Sequence, residues 1–204
     1  MVNIKENWDK IVLELTSVKR DGMTKLIDYL VKQTDFRTAP ASTKYHLNTM
    51  GGLTQHSLNV LRFGRLVNKE LALDIQDESL IITGLLHDLC KTNYYVEGEE
   101  WDKEWKDKTN QWRKKKVWKV EDTLPLGHGE KSVILIVQFI PLLADEMTAI
   151  RYHMGFADAG MHFNYPSGFS YREAMDKYSL VKLLMVADQL AELAESYADL
   201  KKTV

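Results

Sequence analysis

The stretch Leu86-His87-Asp88-Leu89-Cys90-Lys91 decides how this chain is read, because it places an adjacent histidine and aspartate at the end of an apolar run and a cation just beyond them. An isolated His56 precedes it, and His128, His153 and Asp188 follow, so nitrogen and carboxylate donors recur at intervals of one or two helices. Donors spaced in this way can close a metal cage when the helices that carry them pack together. A His-Asp pair is common by chance and a lone histidine on an apolar face is ordinarily a packed one, so the recurrence carries more weight than the pair. Imidazole with carboxylate suits divalent first-row transition ions, whereas all-oxygen sites suit magnesium or calcium and thiolate-rich sites suit structural zinc.

Around this stretch, Asp77 to Cys90 carries Leu80, Ile81, Gly84, Leu85 and Leu89 on one side and reads as a central helix, with Gly84 allowing close approach of a neighbour. On such a helix His87 and Asp88 point about 100° apart, yet Lys91 stands at i+4 from the first and i+3 from the second, so all three can border one pocket. A cation beside metal ligands predicts an anionic substrate; the same lysine also suits a helix C-terminus, where it complements the dipole. Upstream, Trp8, Ile11, Val12 and Leu15 recur at helical spacing, and Met23, Leu26, Ile27 and Leu30 repeat the pattern, which predicts two short opening helices. Phe36 to Met50, with Pro40 and small polar residues, reads as a loop. Gly51-Gly52 then releases the chain into a helix from about Leu53 to Leu71, whose apolar first half sets His56 among core residues.

Downstream, Asn93 to Glu121 breaks the helical rhythm and reads as a β-hairpin turning at Lys108-Thr109-Asn110. Its run Trp112-Arg113-Lys114-Lys115-Lys116-Val117-Trp118-Lys119 mixes bases with aromatics, as either a solvated strand or a single-strand nucleic-acid surface would. Glu97, Glu99, Glu100, Asp102 and Glu104 stand ready to offset that charge across the hairpin. The apolar run Val133 to Ile140 fits a strand or a buried helix; Pro141 after it and helical neighbours favour helix, with His128 at its N-terminus facing inward. A helix from Ala144 to Arg151 carries His153 at its end, and Gly155 to Tyr171 reads as a loop, either a lid or a surface connection. The last helix, about Ser179 to Leu200, sets Asp188 beside an apolar stripe of Leu184, Ala187 and Ala191, where an unpaired carboxylate is costly and calls for a metal or a cation.

Composition bounds the rest. The chain's 204 residues are 45% hydrophobic and 27% charged, with a net charge of -2, as expected of an ordinary globule without broad electrostatic capture of nucleic acid. Cys90 is the single cysteine, so no intrachain disulfide and no cysteine-based zinc knuckle can form; it reads as a small buried apolar residue in a reducing, cytoplasmic setting. The opening residues show no secretory leader, and the longest apolar stretch, Val133 to Ala144, is broken by Gln138 and Pro141 and falls short of the roughly 20 residues a membrane span needs.

Taken in order, His56, His87-Asp88 with Lys91, His128, His153 and Asp188 resemble the HD-domain metal-dependent phosphohydrolases, over about Pro40 to Leu200. Ala39-Pro40-Ala41-Ser42 and Gly51-Gly52-Leu53-Thr54-Gln55-His56-Ser57 look like the entry segment of the bacterial HD-domain exoribonucleases, and His-Asp-x-x-Lys and Gly127-His128-Gly129-Glu130 are further matches. The resemblance implies an all-α HD-domain helical bundle with an inserted β-hairpin. Residues 1–204 would form one hydrolase domain, with helices over 1–39 and the hairpin over 93–121. It implies that His56, His87, Asp88 and Asp188 bind a first metal and that Asp88 bridges to a second held by His128 and His153. His162 is an alternative to His153, and His46 matches a histidine near the entry segment. Two divalent ions, manganese, iron, nickel, cobalt, zinc or magnesium, would activate water to hydrolyse a small nucleotide-type phosphate ester, with Asp88 and Lys91 as the catalytic side chains and Lys91 on a non-bridging oxygen. The stretch before Pro40 is too short for the added oligonucleotide-binding domain of those exoribonucleases, which directs the expectation away from RNA. Two other readings compete. A di-iron oxygenase would differ in iron content and oxygen consumption, and a non-catalytic nucleotide-binding module would hold its ligand without turnover.

Overall fold

A computed structural model describes the backbone of residues 2–106, 112–155 and 166–200, with side chains at 2–102, 112–155 and 170–197. Two helices open the chain, α1 (Ile4–Ser17) and α2 (Met23–Lys32). Asn3 starts the first by accepting the Glu6 backbone N–H, which satisfies one of the donors a helix start leaves free. A loop leads to Gly51, whose left-handed backbone (φ 74°) turns the chain into α3 (Gly52–Leu71). Then come α4 (Asp77–Leu86), a 3-10 turn at Leu89–Lys91, the antiparallel strands β1 (Tyr95–Lys106) and β2 (Trp112–Val120), α5 (His128–Val137), α6 (Ala144–Tyr152), α7 (Pro166–Lys177) and α8 (Ser179–Leu200). An all-α bundle with one inserted hairpin is what the sequence predicts.

Helix α3 is the axis, packed by α8, α4 and α1, while α6 lies on α8 and α5, and α5 covers the 3-10 turn. The core between them is aliphatic: Leu53, Val60, Ile82, Leu85, Leu86, Leu89, Val181, Leu184 and Ala187 are all sealed from solvent. Each such side chain contributes about 1.5–3 kcal/mol when buried. Leu85, Leu86 and Leu89 therefore clamp the chain on both sides of His87-Asp88. A Cβ added at Gly84 would stand 3.0 Å from the Leu61 Cα, so the absence of a side chain there is what lets α4 lie against α3. The distant ends are tied by Arg20, which reaches Glu78 on α4 (3.1 Å) and the sealed Glu146 on α6 (2.5 and 3.1 Å); Ser79 donates to the same carboxylate at 2.8 Å.

Two boundaries differ from expectation. Helix α4 ends at Leu86 and does not run to Cys90, because Asp88 (φ -102°, ψ 22°) leaves helical geometry for the sparsely populated bridge region. A backbone break at Asp88 thus interrupts a continuous apolar pattern and turns His87 and Asp88 toward one locality. The segment from Gly155 to Tyr171 is not all loop, since α7 begins at Pro166, a residue suited to the first turn of a helix, and Tyr171 packs buried within it. The turn at Lys108-Thr109-Asn110 and the candidate ligand His162 lie outside the described residues.

The hairpin pairs Tyr95 with Val120 and Trp101 with Lys114. The acidic strand does offset the basic one: Glu99 meets Lys114 at 3.3 Å, Glu100 meets Lys115 at 3.5 Å and Asp102 meets Arg113 at 3.1 Å. No helix among the described residues is long and apolar enough to cross a membrane.

Candidate metal centre

Five elements deliver the side chains. Helix α3 brings His56, the end of α4 brings His87 and Asp88, α5 opens with His128, the end of α6 brings His153, and α8 brings Asp188. His56, His87, Asp88 and His153 are almost wholly buried, and the Asp188 side chain retains 13% of its exposure. Their donor atoms converge. His56 Nε2 lies 3.0 Å from Asp188 Oδ1 and 3.8 Å from Asp88 Oδ2; His87 Nε2 lies 3.4 Å from Asp88 Oδ2; His153 Nε2 lies 3.6 Å from Asp88 Oδ1. His56, His87 and Asp188 form one potential metal-holding triad, His87, Asp88 and His153 a second, and Asp88, Cys90 and His128 a third.

The rear nitrogens explain which way the rings face. His87 Nδ1 lies 3.1 Å from the Gly84 carbonyl and His153 Nδ1 lies 2.8 Å from the Ile150 carbonyl. A carbonyl only accepts, so both Nδ1 atoms carry the hydrogen and present Nε2 to the centre. That is the arrangement in which outer partners fix the tautomer of metal-binding histidines. His56 is held from behind by a carboxylate, its Nδ1 3.1 Å from Glu195, which also accepts from Asn59 at 2.8 Å. The front atoms His87 Nε2, His153 Nε2 and Asp88 Oδ1 are buried and have no hydrogen-bond partner among the described residues. Buried polar atoms are almost always paired, so three orphans aimed at one another fit a divalent ion well. The nitrogen-and-oxygen donor set is that of a first-row transition metal.

Electrostatics agree with a site built to concentrate charge. Burial raises the Asp88 carboxyl, but the Lys91 cation beside it more than reverses this and holds it well below the usual range. Burial likewise opposes ionisation of Asp188, and His56 outweighs it, so that carboxyl also lies below its ordinary value. Burial depresses His56, yet the Asp188 and Glu195 carboxylates push it up to about 10. Lys91, 2.6 Å from Asp88 Oδ2, is held above its ordinary value against burial and stays a cation at the edge of the cluster. Cys90 is pushed up to about 12 by burial and by Asp88, so its thiol is neutral, in keeping with an apolar reading, although its sulfur stands 3.3 Å from His128 Nδ1.

Every candidate residue within the described part of the chain is therefore drawn to one locality. One participant, Glu195, escapes the sequence reading, and His46 enters it only through its match near the entry segment. Glu195 orients His56, and its only signal was that it lies two helical turns beyond Asp188, on the same face of α8. His46 comes from the loop before α3, with its ring 5.0 Å from that of His56, its Nδ1 3.5 Å from Glu192 and its Nε2 3.9 Å from Glu195. Its match to a histidine near the entry segment was the sequence signal for that approach.

The model of the HD domain family matches residues 53–193, well over half of the chain, and its span contains His56, His87, Asp88, His128, His153 and Asp188. No curated protein and no solved structure matches the chain. With the bundle, the convergent donors and the extent of that match in hand, the chain belongs to the HD-domain superfamily of metal-dependent phosphohydrolases.

Proposed function

We propose that this chain hydrolyses a phosphate ester of a nucleotide-type substrate at a centre of two divalent transition-metal ions. The observation that carries the reading is the trio of buried, unpartnered donor atoms, His87 Nε2, Asp88 Oδ1 and His153 Nε2, with Lys91 fixed beside them. His56, His87, Asp88 and Asp188 would hold the first ion, and Asp88, His128 and His153 the second. Bound divalent ions supply an acidified water as nucleophile and neutralise charge on the phosphoryl oxygens.

The protein's own groups do the remainder. Lys91, kept cationic by Asp88, binds a non-bridging phosphoryl oxygen and stabilises the charge that grows there in the transition state. Glu195 and the Gly84 and Ile150 carbonyls keep three imidazoles aimed inward, so no ligand reorients during turnover. No side chain need form a covalent intermediate, which agrees with a neutral, buried Cys90. A cytoplasmic location is part of the same proposal, consistent with a single free thiol.

Asp88→Ala tests the reading. Loss of both bound metal and phosphate release, with the helical spectrum retained, is expected; a variant that keeps turnover after its metal content has been verified removes Asp88 from the bridging role.

A further inference from the structure

The inserted hairpin makes a feature that the metal centre does not use. Between it and the loop 43–50 runs a groove of about 990 Å³, walled on one side by Lys44, Asn48 and Thr49 and on the other by Trp101, Lys116 and Trp118. Trp118 fixes the width of the groove by donating its indole N–H to the Asn48 carbonyl at 3.1 Å. Trp101 is 57% exposed, unusual for the largest apolar side chain, and Lys114 stands 5.6 Å from its ring centre. Lys115 is paired with Glu100, while Lys44, Lys116 and the groove's other acid, Glu97, make no ion pair among the described residues, which leaves two cations against one carboxylate beside two aromatic rings.

Both walls of the groove belong to segments that lead back toward the centre. The loop that forms one wall sends His46 inward to Glu192, Glu195 and His56 from between Lys44 and Asn48. The strand that forms the other wall begins at Tyr95, whose hydroxyl is pushed up to about 12, by burial first and by Asp88 in part, with the Lys91 charge opposing. From Tyr95 to Trp101 the strand advances about 20 Å, farther than one nucleotide seated on the metals could reach. Aromatic faces with unpaired lysines along a continuous groove are the pattern that holds successive bases and phosphates of a single strand.

We infer that the groove between β1, β2 and the loop 43–50 is a binding site for a single strand of nucleic acid whose terminal phosphate ester lies at the metal centre. The inference rests on the phosphohydrolase reading for its chemistry, but the groove is built by the insertion and can be tested without catalysis. Trp101 supplies a stacking face, Lys44 and Lys116 meet backbone phosphates, and the Trp118–Asn48 contact ties the two walls together.

The experiment is fluorescence anisotropy with labelled twelve-nucleotide oligothymidylate and oligouridylate, against the corresponding dinucleotides, on the full chain with calcium in place of a catalytic metal. The twelve-mer of at least one sugar type should bind about tenfold or more tightly than its dinucleotide, since further bases stack and further phosphates meet the lysines. Trp101→Ala and, separately, Lys116→Glu should erase most of that length dependence; both side chains are exposed, so neither change threatens the fold. Equal binding of long and short strands, or length dependence that survives both substitutions, overturns the groove. Manganese-dependent hydrolysis of bis(p-nitrophenyl) phosphate is run alongside. Its absence strikes the phosphohydrolase reading while the anisotropy still reports on the groove.

Discussion

His56 Nδ1 lies 3.1 Å from the carboxylate of Glu195, although the two residues are 139 positions apart, and this contact sets the direction in which His56 Nε2 faces Asp188. A carboxylate behind an imidazole raises its basicity and locks its tautomer. Glu195 thus belongs to the centre without touching its middle.

Replacing Glu195 by Gln should weaken metal binding by roughly 10–100-fold, the usual effect of removing an outer partner of a ligating histidine. Metal titration followed by calorimetry or an indicator dye checks this. An unchanged affinity would mean that packing alone orients His56.

Metal affinity should rise with pH. His56 is pushed up to about 10, so at neutral pH an ion must displace its proton, and apparent affinity should climb by roughly tenfold per pH unit for that proton. In the metal-free protein the sign is opposite. A group raised from 6.5 to about 10 stabilises the fold fully below 6.5, and that contribution is lost as pH rises toward 10. Calorimetry in buffers of different ionisation enthalpy detects the released proton, and melting of metal-free protein across the same range tests the second effect.

Arg20→Ala should cost about 3–5 kcal/mol, because it strands the sealed Glu146 carboxylate without its cation. Ser79 and the Leu143 N–H would remain as its only neutral donors among the described residues. Denaturant unfolding measures the loss. A change below 1 kcal/mol would show that those donors suffice.

Gly129→Ala should destabilise by about 1–3 kcal/mol, since its Cβ would run into the Arg151 carbonyl and push α5 from α6. These are the helices that carry His128 and His153, so weaker metal binding should accompany the lower melting temperature. A variant that melts lower yet binds metal as before would separate the packing from the site.

Much of this was legible in the chain because the helices are amphipathic and the candidate ligands sit on or at the ends of them. His56 falls in the apolar half of α3 and Asp188 beside an apolar stripe, so period alone placed both near the interior. The hairpin announced itself through a break in the helical rhythm, and its cross-strand pairs form as the opposite signs of its two strands predict. What stayed hidden is what depends on distant segments meeting. The break after Leu86 interrupts a continuous apolar pattern. Glu195 reaches His56 from 139 positions away, through packing that no window of sequence records.

The account stands or falls on metal content. Protein purified without chelator should carry about two divalent ions per chain and release phosphate from members of a nucleotide panel only when manganese, nickel, cobalt or magnesium is present. A chain that holds no ion and turns over nothing with any of them would contradict a hydrolytic centre at His56, His87, Asp88 and Asp188.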